Sequence, residues 1–216
     1  LFDRFDTIRI INLAYRKDRR SEMEGELRKV GLLGDPRVSF FDACTFDDPG
    51  GFSSRGARGV YASHLAILRE AGANGQSVLI LEDDADFEPG AADHVLPENW
   101  QIFYGGYFAA EPDRLETSDV QEAHMMGFSA DIVPPLVEYL SNLRHEGIHP
   151  PIDGAYVWFR RAFPEVRTHF AVPQLAFQRP SRTDIADLPI YDRLPLFREG
   201  VGLLRKLKRR SGLGRR

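Results

Sequence analysis

The chain of 216 residues carries 43% hydrophobic and 28% charged residues, an ordinary balance for a globular protein with one sizeable core. No apolar run approaches the roughly 18 residues that span a bilayer, and the single cysteine, Cys44, excludes an internal disulfide. The net charge of −4 is unevenly spread: residues 203–216 hold seven of the 28 basic residues and no acid, so the rest sets 21 bases against 32 acids, a net of −11. The acidic body argues against duplex nucleic acid as a partner. A lone cysteine and a start that runs straight into a strand pattern, with no signal-peptide pattern, lead to the expectation of a reducing, cytoplasmic setting.

In chain order, Thr7-Ile8-Arg9-Ile10-Ile11-Asn12-Leu13 reads as a first strand, β-branched and mostly apolar. Asp18 to Gly31 reads as a helix on Met23, Leu27 and Val30, with a capping box possible at Ser21 and Glu24. Val38 to Phe41 is a second strand, and Thr45 to Arg58 a loop rich in Gly, Ser and Asp. A second helix is predicted from about Ala57 to Ala73, with Tyr61, Leu65 and Leu68 as its stripe. Val78-Leu79-Ile80-Leu81 follows as a short buried strand of a parallel sheet.

Further strands are expected at Trp100 to Tyr104, broken by Gly105-Gly106, and at Glu122 to Phe128, with a polar loop at 107–121 between them. A helix from Asp131 tolerates Pro134 and Pro135 in its first turn. An aromatic helix opens at Asp153, and His169 to Leu175 is a last short strand. Strands alternate with helices through the first half, so the class is α/β. One domain is expected over 1–194, followed by a basic amphipathic tail over 195–216. There Leu196, Val201, Leu203, Leu204 and Leu207 interleave with the charges, a pattern suited to an anionic membrane surface.

The chemistry concentrates where the 78–81 strand ends in Glu82-Asp83-Asp84, with Asp86 two residues on. Adjacent carboxylates repel and do not belong in a core, and the C-terminal ends of strands in open α/β sheets are where ligands bind. A divalent cation on oxygen ligands would turn the repulsion into attraction. On an extended chain residues i and i+2 share a side, so Glu82 and Asp84 can converge on one ion while Asp83 faces away. The alternative is an acidic, solvated turn.

Arg16, Arg19 and Arg20 lie between the first strand and helix, a natural anion site or else an ordinary charged first turn. Neither GxGxxG nor a Walker sequence is present. His64, inside the second helix beside the apolar stripe, is either a hydrogen-bonded core-edge residue or a catalyst. Asp153 is either a helix N-cap or a second carboxylate reaching the same pocket as a general base. Gln178 to Ile185, which includes Ser181 and Asp184, reads by spacing alone as a decorated turn with an Ser181-x-x-Asp184 cap.

Three stretches together resemble the glycosyltransferase family 25 enzymes, which include bacterial lipopolysaccharide sugar transferases and collagen galactosyltransferases. They are Ile11-Asn12-Leu13 followed by Arg16, Asp18, Arg19 and Arg20; Gly59 through Ser63-His64; and Leu79 to Ala85. The match covers about the first 90 residues, and more loosely Asp153 and the Gln178 to Ile185 stretch.

The resemblance implies a GT-A fold, a Rossmann-type, mostly parallel sheet flanked by helices in a single domain, with a UDP-hexose donor held with Mn²⁺ or Mg²⁺ and inversion at the anomeric carbon. Asn12, Leu13, Arg16, Arg19, Glu82 and Asp83 would then line the nucleotide-sugar. Asp84, with Glu82 second, would hold the metal, and Asp153 would be the base. His64, Gln178, Ser181 and Asp184 are further candidates. The acceptor would be a glycan or glycolipid, with the protein peripheral on the inner face of the membrane. A metal-dependent phosphate-ester hydrolase and a non-catalytic nucleotide-sugar-binding module are the competing readings.

Overall fold

The computed structural model describes residues 1–179. The predicted cap at Ser181 and Asp184 and the basic segment 195–216 lie outside the described residues.

Hydrophobic alternation along the strands builds two cores, one on each face of a central sheet. In β3 (Val78–Glu82), Val78 and Ile80 face one layer and Leu79 and Leu81 the other, all fully buried. The first layer holds α2 (Arg55–Ala73), α3 (Val133–Ser141) and α4 (Ile152–Ala162), through Leu68, Leu136 and Tyr156. The second holds α1 (Lys17–Lys29) through Met23 and Leu27, joined by Phe2, Phe5 and Trp100.

Six strands form the main sheet in the order β2-β1-β3-β6-β5-β7. They are β1 (Thr7–Asn12), β2 (Val38–Asp42), β3, β5 (Ile102–Ala109), β6 (Val120–Phe128) and β7 (Thr168–Phe170). The β1·β2, β1·β3 and β5·β7 pairs are parallel, while β6 is antiparallel to both β3 and β5. Thus β6 alone runs against the other five, and the expected mostly parallel α/β sheet is what forms. A two-stranded ribbon pairs β4 (Ala85–Phe87) with β8 (Ala176–Gln178). None of the described helices is long and apolar enough to cross a membrane.

From β1 the chain passes through α1 to β2 on one side, then through α2 to β3 on the other. That reversal opens a crevice beyond the C-terminal ends of β1 and β3, where ligands bind in open α/β sheets.

Several local expectations are corrected. Ser21 and Glu24 lie inside α1, whose N-cap is Arg16 with no side-chain cap, so there is no capping box. Ser54 starts α2 two residues before the predicted position by accepting the Ala57 amide at 3.0 Å. Gly105-Gly106 does not break β5, which runs on to Ala109 through register shifts. The glycines are there for room: a Cβ on Gly105 would fall 2.6 Å from Met125 Sδ, and one on Gly106 would fall 2.3 Å from His124 Nε2. The last strand is two, β7 and β8, separated by a bend.

The Gly59 to Ser63-His64 stretch is a docking device within α2. Ser63 Oγ donates to the Gly59 carbonyl at 2.8 Å and accepts the Cys44 amide at 2.9 Å, fastening the chain after β2 to the helix. A Cβ at position 59 would lie 2.5 Å from the Cys44 carbonyl oxygen, which is backbone and has no rotamer to change. Gly59→Ala is therefore expected to destabilise the protein by roughly 1–3 kcal/mol, the usual cost of overpacking, read as a lower urea midpoint. An unchanged midpoint would remove the steric reason for glycine there.

Candidate active site

The crevice is tied together by a buried ion pair. Arg19, in the first turns of α1, sends Nη1 to Asp83 Oδ1 at 2.7 Å and lies 3.3 Å from Asp84 Oδ2. Asn12, at the end of β1, donates to the other Asp83 oxygen at 2.6 Å and to the Arg16 carbonyl at 3.3 Å. Further along α1, Glu26 accepts the Phe87 amide at 3.2 Å. Arg19, Asp83 and Asp84 are all buried. The strand ends at Glu82, so 83–84 is a turn and the i, i+2 alternation fails there. Asp83 and Asp84 both reach the α1 guanidinium instead of facing opposite ways.

Glu82 still obeys the strand's parity. It follows Ile80 onto the α2–α4 face, where Asp153 lies in the first turn of α4. Burial first, then repulsion from Asp84, Asp83 and Asp153, pushes its carboxyl up to about 8. Two acids of the turn after β3 and one of α4 thus act together on Glu82. Asp153 is not the N-cap of α4; that position is Pro151, which has no side-chain cap bond. Asp153 Oδ1 takes the Gly154 amide at 2.8 Å and Oδ2 takes the Glu122 amide at 3.0 Å.

The floor is aromatic. His64 is fully buried, and its Nδ1 lies 2.9 Å from the Tyr156 hydroxyl, linking α2 to α4. Burial holds this imidazole down at about 3, so it is uncharged. Its position is that of the core-edge residue. Burial raises the Tyr104 hydroxyl to about 12, and the Arg160 guanidinium lies 5.1 Å from the centre of the Tyr104 ring.

Leu13 sits in the turn into α1, its carbonyl accepting the Arg16 amide at 2.7 Å. Arg16 grips Asp18 with Nε and Nη2 at 2.9 and 2.7 Å, holding that carboxyl low at about 2. Arg20 is directed away, over the Phe40 ring and toward Glu24. Gln178 pairs in register with Ala85, so β8 brings it beside the acidic turn.

Sequence reasoning passed over Tyr104, Tyr156, Arg160, Glu122 and His124. Tyr156 carried a signal, lying one turn after Asp153 on a helix. Glu122 carried none, since nothing in its residue type marks a special backbone.

Among the described residues no three His, Cys, Asp or Glu side chains form a ready cation cage. The donor chemistry at the end of β3 is that of a hard divalent cation all the same, since the donors are carboxylate oxygens, with the Arg19 guanidinium against Asp83 and Asp84. A Mg²⁺-type ion takes one or two carboxylates and completes its shell with substrate phosphates and water.

No protein-family model and no curated protein sequence matches the chain. Solved structures with similar folds include a glycosyltransferase involved in glycosylation of the major capsid of PBCV-1 (10% identity, 82% of this chain and 94% of that one, TM-score 0.49). They also include the CTP:phosphocholine cytidylyltransferase LicC of Streptococcus pneumoniae (11% identity, 80% and 72%, TM-score 0.40). A third is the glycosyltransferase GlyE of S. pneumoniae (11% identity, 76% and 45%, TM-score 0.40). Likeness at this level establishes neither family nor activity.

Arg19→Met strands two buried carboxylates, and it is expected to cost roughly 3–5 kcal/mol, measured by urea denaturation. A smaller loss would mean that Asp83 and Asp84 are not charged and paired as described. The folded Glu82 carboxyl lies above its ordinary range, so the folded state keeps a proton that the unfolded chain releases. The stability this gives is present in acid and is lost as pH rises toward about 8. In EDTA, Glu82→Gln should therefore stabilise the protein increasingly from pH 5 to pH 8. A pH-independent difference would refute the buried charge cluster.

Proposed function

We propose that the protein is an inverting glycosyltransferase. In this reading it moves a hexose, glucose or galactose, from a UDP-sugar to a hydroxyl of a glycan or glycolipid acceptor, in lipopolysaccharide or other cell-surface glycan synthesis. The observation that supports it is that Asp153 of α4 acts on Glu82, the first of the three carboxylates at the end of β3, beyond the C-terminal ends of β1 and β3. Transfer from a nucleoside diphosphate needs charge neutralised on the departing diphosphate and a base on the opposite face of the sugar.

Asp84, with Glu82 beside it, would hold Mn²⁺ or Mg²⁺, whose chemistry when bound is to neutralise the diphosphate without protonating it. Arg16, at the mouth of α1, lies where an anionic donor would be met. Asp83 is engaged by Asn12 and Arg19 and so shapes the turn from beneath. Asp153 would take the proton of the acceptor hydroxyl. Each of its oxygens accepts one backbone amide and keeps acceptor capacity for one partner more. Attachment to an anionic membrane surface through 203–216, on the inner face of the membrane, rests on the sequence pattern of that segment.

Calorimetric titration of UDP with Mn²⁺ and then with EDTA tests the reading. Metal-dependent binding is expected, and Asp84→Asn should abolish it while leaving the unfolding transition in place. Absence of binding in both conditions overturns the UDP-sugar assignment. Asp153→Asn should keep UDP affinity and lose transfer from UDP-glucose or UDP-galactose; normal turnover would remove Asp153 as the base. Donor cleavage that no acceptor accelerates would favour a hydrolase.

A further inference from the structure

Glu122 is the one non-glycine with positive φ among the described residues, at 62°. Glutamate has no special tolerance for that conformation, unlike glycine or asparagine. Strain of this kind persists only where the surroundings over-determine it, and it collects at functional sites.

Here the surroundings can be named. Glu122 lies in a bulge of β6. Gly106 pairs with Met125 and Phe108 with Gln121, so the single residue Tyr107 opposes three, Glu122, Ala123 and His124. Bulges beside sites re-aim groups that a regular ladder would hold in the sheet plane. The bulge is pinned on its far side by His124, whose ring occupies the space a Gly106 side chain would need and whose Nε2 donates to the Ala176 carbonyl at 3.0 Å. On its near side the Glu122 amide leaves the ladder and donates to Asp153 Oδ2 at 3.0 Å.

We infer that Glu122 is a positioning residue: its left-handed backbone turns the peptide N–H out of β6 onto Asp153 and fixes the plane of that carboxylate. This deepens the reading of Asp153 as the base and rests on it. The Gly154 amide alone would leave the carboxylate free to turn about its own bond, because that donor belongs to the adjacent residue of the same helix. A second donor from a different element removes that freedom, and the acceptor hydroxyl then meets an oxygen already aimed. The device works through the main chain, while the side chain at 122 has its own contact, its carboxylate lying 3.8 Å from His124 Nδ1.

Two matched variants separate backbone from side chain. Glu122→Asn and Glu122→Val both delete the carboxylate, but asparagine tolerates φ near 60° and β-branched valine does not. With UDP-galactose as donor, Glu122→Asn should stay close to the parent. Glu122→Val should lose roughly tenfold to a hundredfold in kcat, the scale of a misplaced catalytic group, with KM for the donor unchanged. Equal losses in both variants would overturn the inference and assign the effect to the carboxylate.

A second measurement needs neither activity nor a variant of β6. In the unmodified protein, the Glu122 amide proton should exchange slowly with solvent, because it is held by Asp153 Oδ2. Asp153→Ala, which removes the acceptor, should speed that exchange. An amide that ignores Asp153 sinks the inference whatever the enzyme transfers. A coupled amide in a protein whose Asp153→Asn variant still turns over leaves the contact standing and removes the base assignment alone.

Discussion

Everything at the crevice hangs on one guanidinium. Arg19 is buried between the end of β1 and the end of β3, and with Asn12 it draws Asp83 and Asp84 inward. An ion pair this deep is not a large source of stability, because desolvating both partners offsets most of their attraction. Its effect is geometric. It stops β3 at Glu82, turns the chain over α1 and releases it into β4, whose Phe87 amide is caught by Glu26 of the same helix. The ribbon of β4 and β8 then carries the C-terminal part of the described chain back to the crevice.

Burial, and after it repulsion from Asp84, Asp83 and Asp153, raises the Glu82 carboxyl, while the Arg19 guanidinium works against that rise. The uncharged floor of His64 and Tyr156 supports this arrangement by adding no counter-charge. The three motif stretches accordingly divide their labour: two meet at the crevice, while Gly59 and Ser63 hold the Cys44 segment on α2 behind it.

Hydrophobic patterning in the sequence was enough to determine the α/β class, the positions of β1, β2, β3 and β6, and the four helices within a few residues. It also singled out the acidic strand end, because four apolar residues running straight into three carboxylates have few physical explanations. Glu82, Asp83 and Asp84 were singled out for that reason, Arg19 from the arginine cluster between the first strand and helix, and Asn12 and Asp153 less directly. What each does there was decided by tertiary structure. Alternation predicts where a side chain points only while the strand lasts, so the fate of Asp84 changed when β3 ended one residue after Leu81. The run of β5 through Gly105-Gly106 was hidden because those glycines answer to Met125 and His124, which belong to a strand far along the chain. The backbone of Glu122 was hidden most completely. Its conformation is imposed by a bulge, a distant carbonyl and the carboxylate of Asp153, and no local preference of glutamate foretells constraints that exist only once β5, β6, β8 and α4 have come together.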